Sequence, residues 1–491
     1  MPQPKQQISD KTTFIIVGAG PAGLFSARAL NKLGVPGKNI KILEKESWAG
    51  GKCHTYVDPE NESLVTEFGA ALVATNYGVV LDAIHEKKIK YEEVLPTKPD
   101  SMDFMKQFHQ ENTLGKIKFS AEFLKELVVY ETFIREYEHA RDHQLPLPKD
   151  YLLPFAEFAQ RKGLMELNDL LRPLVTGFGY GAMQVCPTYA VLEYMGHTTV
   201  PGMGLIPGLL NQGPFYAIKG GFQRLMEAIA EDYGVLTEVN IHSIDRSNGV
   251  EVSFSQHGKE QQLKADYLIL ALSPLHWPKL GLKLSETEKL CTGQLTHYRY
   301  PVAVCKLKGY PAHQEFFEPA LQPEGFGKLA LITTRDNRSN PEDGRLCTSY
   351  VNLPQGNNSY NLSPGTCEYE ALKSELESLP AVTEVKLFET KIWEDYMSML
   401  PWDLRCHLQS QQFSDSTRTG YTNSCLSFED VACVANEATR LIANSFSLQP
   451  VKIFDNSLWT ESYRIYGLLK APKIKPVSTS KEEQKPEQIL H

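Results

Sequence analysis

Four apolar residues, Phe14-Ile15-Ile16-Val17, separate a polar amino-terminal stretch from a cluster of glycines. An unbroken apolar run of this length predicts a buried parallel strand, covered on both faces. Gly18, Gly20 and Gly23 follow with G-x-G-x-x-G spacing, and a helix is predicted to begin there. A second strand, Ile40–Leu43, ends at Glu44. The same alternation returns later in the chain. Gly220-Gly221 leads into a helix and then a strand at residues 235–239, and residues 267–272 read as another buried strand before Pro274. Within residues 423–446, Val431, Val434, Ala435, Ala438, Leu441 and Ile442 fall at helical spacing and give one apolar face.

Between these returns the pattern changes. Pro154-Phe155 opens a predicted helix carrying Phe155 and Phe158. Gly177-Phe178-Gly179-Tyr180-Gly181 places two rings on a glycine-flexible segment. Such a segment lets backbone approach a ligand while the rings supply flat apolar walls. A tight structural turn whose rings serve the core has the same pattern. Residues 298–307 read as a strand. Residues 391–404 carry Trp393, Tyr396, Met399 and Trp402, which core packing explains as well as a pocket does. Residues 200–210 are apolar but broken by glycine and proline. They line a pocket, touch lipid transiently at a surface, or pack as a loop on the core. From residue 470 to 491 proline, lysine and glutamate dominate, the composition of a disordered tail.

The glycine turn suggests the first chemistry. Gly18 permits the tight turn, Gly20 admits a pyrophosphate to the backbone, and Gly23 allows close helix–strand packing. Pro21 and Ala22 complete the turn, and the helix amino end offers free N–H groups to phosphate. Glu44, followed by Lys45, stands where a carboxylate accepts the ribose hydroxyls of an adenosine. NAD and FAD both satisfy this pattern.

Composition narrows the class. The 491 residues are 42% hydrophobic, enough for substantial cores and two domains. A net charge of −9 argues against bulk nucleic-acid binding. Nine scattered cysteines without a C-x-x-C read as reduced thiols of a cytoplasmic protein, and no zinc or other metal cluster stands out. The amino terminus lacks a signal-peptide core, and no run of 18 apolar residues predicts a membrane span. Nothing in the sequence sets an oligomeric state.

The stretch from Glu44 through Gly50-Gly51-Lys52-Cys53-His54 to Glu67-Phe68-Gly69-Ala70, with a hairpin predicted between, resembles the flavin-binding pattern of the amine oxidase superfamily. The resemblance implies non-covalent FAD rather than NAD. It also implies an α/β fold in which a Rossmann-like FAD-binding domain is interleaved with a mixed α+β substrate domain. The expected FAD segments are residues 12–79, 215–281 and 414–450, and the substrate segments are 80–214 and 282–413. Lys52 is expected at the cofactor, and Val239 either contacts it through its backbone or simply packs its strand. The amino end of the last helix, near Ser427 and Glu429, is expected against the flavin or its pyrophosphate. The superfamily has Gly-Glu just before this helix. Asn423-Ser424 stands there instead, so the acid is missing and Ser424 is left as the contact.

The pieces "GGKCH", "LPFAEF", "FGYG" (residues 178–181) and "SFEDV" are similar to the polyunsaturated fatty acid double-bond isomerases of that superfamily, over about residues 12–446. That resemblance implies hydride transfer from the methylene between two cis double bonds to FAD and back to a terminal carbon, giving conjugated double bonds. It puts Phe178 beside the flavin with Tyr180 as a second wall, the two candidate catalytic and substrate-binding rings. Lys98 is the candidate anchor for the substrate carboxylate, and His54 is expected as a satisfied polar group in the wall. An FAD-dependent oxidase or desaturase of an amine or other apolar metabolite uses the same scaffold, and a non-enzymatic flavoprotein is the third reading.

Overall fold

The apolar runs form one sheet because each has two buried faces to fill. In the computed structural model, which describes residues 5–447 apart from 75–76, 95–108, 112–116, 120, 197–214, 312–313, 337 and 339–340, Phe14–Val17 is buried throughout. It pairs in parallel with Ile40–Leu43 on one side and Tyr267–Leu270 on the other. Gly234–Leu236 and Thr419–Tyr421 complete a five-stranded sheet, so segments far apart in sequence make one layer. The helix Pro21–Leu33 starts with proline at its first turn and stops at Gly34, whose φ of 110° ends it in the left-handed region. Val431–Ser445 packs against it.

A second sheet has the order Gln314–Phe316, Leu329–Thr334, Arg345–Val351, Thr296–Lys308 and Glu384–Met399, and its pairings are all antiparallel. Together with the helices Ala121–His143, Phe155–Lys162, Met165–Thr176 and Thr188–Tyr194 it makes the mixed α+β region. The rings of Phe155 and Phe158 are fully buried in the core of this region. The hairpin expected after Gly50-Gly51 is Thr55–Val57 against Val65–Glu67.

Three boundaries differ from the sequence reading. The strand expected at residues 235–239 is two strands: Gly234–Leu236 ends in the parallel sheet, and Val239–Asp245 starts a separate antiparallel sheet with Val250–Gln256 and Lys259–Ala265. Glu238, at φ 56°, makes the turn between them. The strand expected at 267–272 stops at Leu270, releasing Ala271 and Leu272 to line a cavity. The last helix begins at Val431, with Asp430 as its cap, so Ser427 precedes it. Residues 200–210, Lys98 and the tail 470–491 lie outside the described residues.

Candidate functional site

A cavity of about 1380 Å³ runs between the carboxyl ends of the parallel strands and the mixed sheet with its helices. That exceeds the roughly 300–1,000 Å³ of a single small-molecule pocket and leaves room for a dinucleotide and a second ligand. Strand carboxyl ends are where open α/β sheets bind ligands.

The glycine turn supplies one stretch of wall. Gly18, Gly20, Pro21, Ala22, Glu44, Lys45, Gly51, Lys52, Val239 and Ser424 all line the cavity. Gly23 and Gly50 stand behind it: Gly23 packs on the Gly18 carbonyl, and the Gly50 N–H donates to the Ala19 carbonyl at 2.9 Å. Gly20 and Gly51 meet backbone to backbone, so close that a Cβ on Gly51 would lie 3.0 Å from the Gly20 Cα. This leaves a smooth backbone surface, free of side chains at Gly20 and Gly51, suited to a pyrophosphate. The Glu44 carboxylate accepts from the Ala19 N–H at 2.8 Å and the Glu46 N–H at 2.9 Å, which fixes it at the edge of the turn. Burial raises its pKa. Lys45 borders the cavity, but its side chain is 75% exposed and its Nζ lies 3.4 Å from Glu46.

Lys52 is held by acids that no local pattern connects to it. Its Nζ lies 3.0 Å from Glu429 Oε1 and 3.4 Å from Asp395 Oδ1, and donates to the Asp395 carbonyl at 2.9 Å. Burial works against the charge, but the two carboxylates outweigh it and hold the ammonium above its ordinary pKa. Asp395 is held well below the carboxylate range despite its burial, by Lys52 and by His276, whose Nε2 is 3.3 Å from Oδ2. Asp395 was not singled out by sequence. It lies two residues before Met397, at φ 45°, in a stretch where the pairing with Thr296–Lys308 slips twice. Such irregularities re-aim side chains near sites, and here Trp393, Asp395 and Tyr396 face the cavity while Met399 and Trp402 pack in the core.

The stretch before the last helix also reaches the cavity, with Ser427 the one expected residue that stays off its wall. Asn423 and Ser424 line the cavity, Ser427 does not, and the acids facing it are Glu429 and Asp430. Asp430 caps the helix by accepting from the Ala432 and Cys433 N–H groups at 2.8 and 3.2 Å, and it takes the Tyr77 hydroxyl at 2.5 Å.

The remaining wall is a chamber of rings. Phe178 lines it, half-buried and edge-on to Phe316 with centroids 5.8 Å apart. Tyr180 stacks on Tyr396 at 5.6 Å and meets Tyr194 edge-on at 4.9 Å. Tyr300 stacks on Tyr396 at 4.6 Å, and its hydroxyl donates to the Gly177 carbonyl at 2.9 Å, pinning the glycine-rich segment. Burial pushes the Tyr180 phenol far above its ordinary pKa, so it stays neutral and serves as a wall and hydrogen-bonding group. Arg335, a lining cation that sequence missed, is paired with the buried Glu67 at 2.7 Å.

His54 stands behind the wall, stacked between Trp48 at 4.5 Å and Phe68 at 5.0 Å. Its Nδ1 is 3.2 Å from Lys391 Nζ. Burial and the Lys391 charge bring its pKa down to about 4, so the ring is neutral and accepts from the ammonium. Cys53 lines the cavity as a buried thiol, pushed up by burial. The His54 shift has a consequence for stability. The unfolded chain protonates this histidine near pH 6.5 and the folded chain only near 4. The unfolded state therefore binds more protons in that window, and folding stability falls as pH drops through it. We expect the unfolding free energy of wild type minus that of His54→Asn to be level above pH 6.5, to decrease between 6.5 and 4, and to level again below. Urea melts across this range check it, and a constant difference refutes it.

Among the described residues no group of three or more His, Cys, Asp or Glu side chains is placed to hold a metal, and no helix is long and apolar enough to cross a membrane.

Comparison with known proteins agrees with this architecture. The sequence model described as "Flavin containing amine oxidoreductase" matches residues 21–284. Beta-cyclopiazonate dehydrogenase of Aspergillus flavus is 25% identical over 304 residues, 60% of this chain, and the match spans 63% of that relative's length. The crystal structure of a CLA-producing fatty acid isomerase from P. acnes superposes with a TM-score of 0.67 at 19% identity, covering 89% of this chain and 99% of that one. Putrescine oxidase bound to putrescine superposes at 0.57 and 15% identity, covering 89% and 98%.

Proposed function

The chain belongs to the flavin containing amine oxidoreductase family and binds FAD non-covalently, and from that premise we propose that it isomerises a polyunsaturated fatty acid, converting methylene-interrupted double bonds to conjugated ones. The observation that carries the reading is the chamber itself. Leu170, Leu174, Phe178, Tyr180, Tyr300 and Phe316 border the same cavity as the Gly18–Gly51 surface. Two of the cations at its border are matched by partners: Arg335 by Glu67, and Lys52 by Asp395 and Glu429. An apolar chain lies beside these two pairs without stranding either cation. The fatty acid isomerase from P. acnes, which shares this fold, supports the substrate class.

Bound FAD supplies hydride acceptance and return. Gly18, Gly20 and Gly51 would hold its pyrophosphate and Glu44 its ribose, while Lys52, Val239 and Ser424 border it. The residues of the chamber do the rest. Phe178 and Tyr180 orient the diene and keep water away, and a ring face stabilises a nearby cation by roughly 0.5–2 kcal/mol. Orientation therefore carries more of the rate than ring electrostatics. Lys98 is proposed as the carboxylate anchor. The hydride that leaves one carbon returns to another carbon of the same molecule, so atoms and electrons balance without an external oxidant.

We expect a methylene-interrupted diene acid under argon to give a product of unchanged mass with new ultraviolet absorption from a conjugated diene. A strict oxygen requirement with stoichiometric peroxide overturns this in favour of an oxidase. Turnover of amines with silence across fatty acids overturns the substrate class. A dehydrogenated product assigns instead the chemistry in the name of the Aspergillus relative.

A further inference from the structure

One buried ion cluster ties the ring chamber to the loop that opens the last helix. Glu193 sits on the short helix Thr188–Tyr194, with its side chain 5% exposed. Its Oε1 is 3.3 Å from Arg141 Nη1, and its Oε2 accepts from the Tyr137 hydroxyl and lies 3.4 Å from Arg405 Nη2. Arg405, 2% exposed, donates through Nη1 to the Ser427 carbonyl at 3.3 Å and lies over the Trp402 ring at 5.2 Å. The helices Ala121–His143 and Trp402–Ser410 thus converge on a single carboxylate.

What flanks the cluster gives it a consequence. Tyr194, the next residue, lines the cavity and stacks on Phe428 at 4.6 Å with planes 5° apart. Phe428 follows Ser427, whose carbonyl Arg405 holds, and precedes Glu429 and Asp430, which line the cavity beside Lys52. Glu193 therefore fixes both partners of the Tyr194–Phe428 stack: one through its own helix, the other through Arg405.

We propose that Glu193 is a positioning residue, which through Arg405 sets the register between the Tyr194 wall of the chamber and the cofactor-side loop 427–430. The two guanidiniums pull the Glu193 carboxyl down to about 2 against the effect of burial, so it is charged at any working pH. Removing that charge leaves Arg405 buried against a neutral amide. An uncompensated buried charge drives rearrangement, because burial is tolerated only with its partner in place. The path of relief is movement of Arg405, which carries Ser427 and Phe428 with it.

The inference rests on the reading that this cavity is the reaction site. Its test separates the two. Glu193→Gln keeps shape and removes charge. Purified with FAD, it is compared with wild type by the visible flavin bands, by titration with linoleate, and by kcat and KM. Asp58→Asn is the control: it breaks a similarly buried pair, Lys306–Asp58 at 2.9 Å, that does not line the cavity. We expect Glu193→Gln to shift the flavin bands and to lower kcat by roughly ten- to a hundredfold with a smaller change in KM, whereas Asp58→Asn lowers the urea midpoint and leaves the bands in place. Superimposable bands and ligand titrations in Glu193→Gln and wild type overturn the proposal. If wild type binds no fatty acid, the substrate reading fails, while the band comparison still judges Glu193. Should Glu193→Gln not fold, Tyr137→Phe, which deletes one donor to the same carboxylate, is expected to move the bands the same way by less. Unmoved bands there overturn the proposal equally.

Discussion

Gly23→Ala is expected to leave the purified protein without flavin. A Cβ at residue 23 would lie 2.0 Å from the Gly18 carbonyl oxygen and 3.2 Å from the Ile16 side chain. The first contact is with backbone, so no side chain can swing aside to relieve it. Either the helix Pro21–Leu33 moves off the strand Phe14–Val17 or the turn opens. Both separate Gly20 from Gly51 and destroy the surface on which the pyrophosphate rests. Overpacking of a well-packed site costs roughly 1–3 kcal/mol, which is about 5- to 150-fold in affinity if it falls on the bound state. A backbone contact this short belongs at the upper end. The measurement is the flavin-to-protein ratio after purification, with FAD titrated into protein stripped of it and circular dichroism to confirm folding. Wild type should be yellow and release intact FAD on denaturation. A folded Gly23→Ala protein with full flavin occupancy and unchanged FAD affinity refutes the packing argument, and flavin that stays attached after denaturation refutes non-covalent binding.

The same geometry explains why this half of the molecule is legible from sequence. Phe14–Val17 and Ile40–Leu43 announce themselves because parallel strands buried on two faces need unbroken apolar runs, and the turn between strand and helix needs glycine for a local reason. The hairpin after Gly51 is likewise local. The misreading at residues 235–239 is instructive: the apolar run ends at Leu236, and the alternating pattern of Val239–Asp245 belongs to a half-exposed antiparallel sheet. Interactions across long sequence separations left no such trace. Lys52 meets Asp395 and Glu429, and Glu193 meets Arg405, only because distant elements cross. Composition gives no sign of these pairings. Rings posed the hardest case. Phe155 and Phe178 both stand in segments broken by proline or glycine, yet the first is sealed in the core and the second borders the cavity. Ring chemistry is the same in both, and only the packing of the second sheet decides which side faces a ligand.

Phe178→Ala is accordingly expected to damage turnover far more than flavin retention. Phe178 borders the chamber between Gly177, packed on the Phe316 ring, and Gly179, packed on the Tyr300 ring. Its own ring meets Phe316 at 87°, so removing it opens a gap in one wall without loosening the Tyr300 hydroxyl that pins Gly177. None of the backbone that forms the Gly18–Gly51 surface touches this change, and neither does the Glu44 carboxylate with its two N–H donors. A long apolar chain facing the gap gains room to slide and rotate. The reacting carbon then spends less time aligned for transfer, and misplacement of about 1 Å can cost about a hundredfold in rate. We expect kcat to fall by roughly ten- to a hundredfold, with flavin content and FAD affinity within error of wild type. Both quantities must be read on one preparation with a verified substrate, so that lost cofactor cannot pass for lost chemistry. Unchanged turnover would put the reacting carbon away from Phe178 and shift attention to the Tyr180–Tyr396 stack, which borders the same cavity. A parallel loss of flavin would mean that the segment supports the cofactor as well as the substrate.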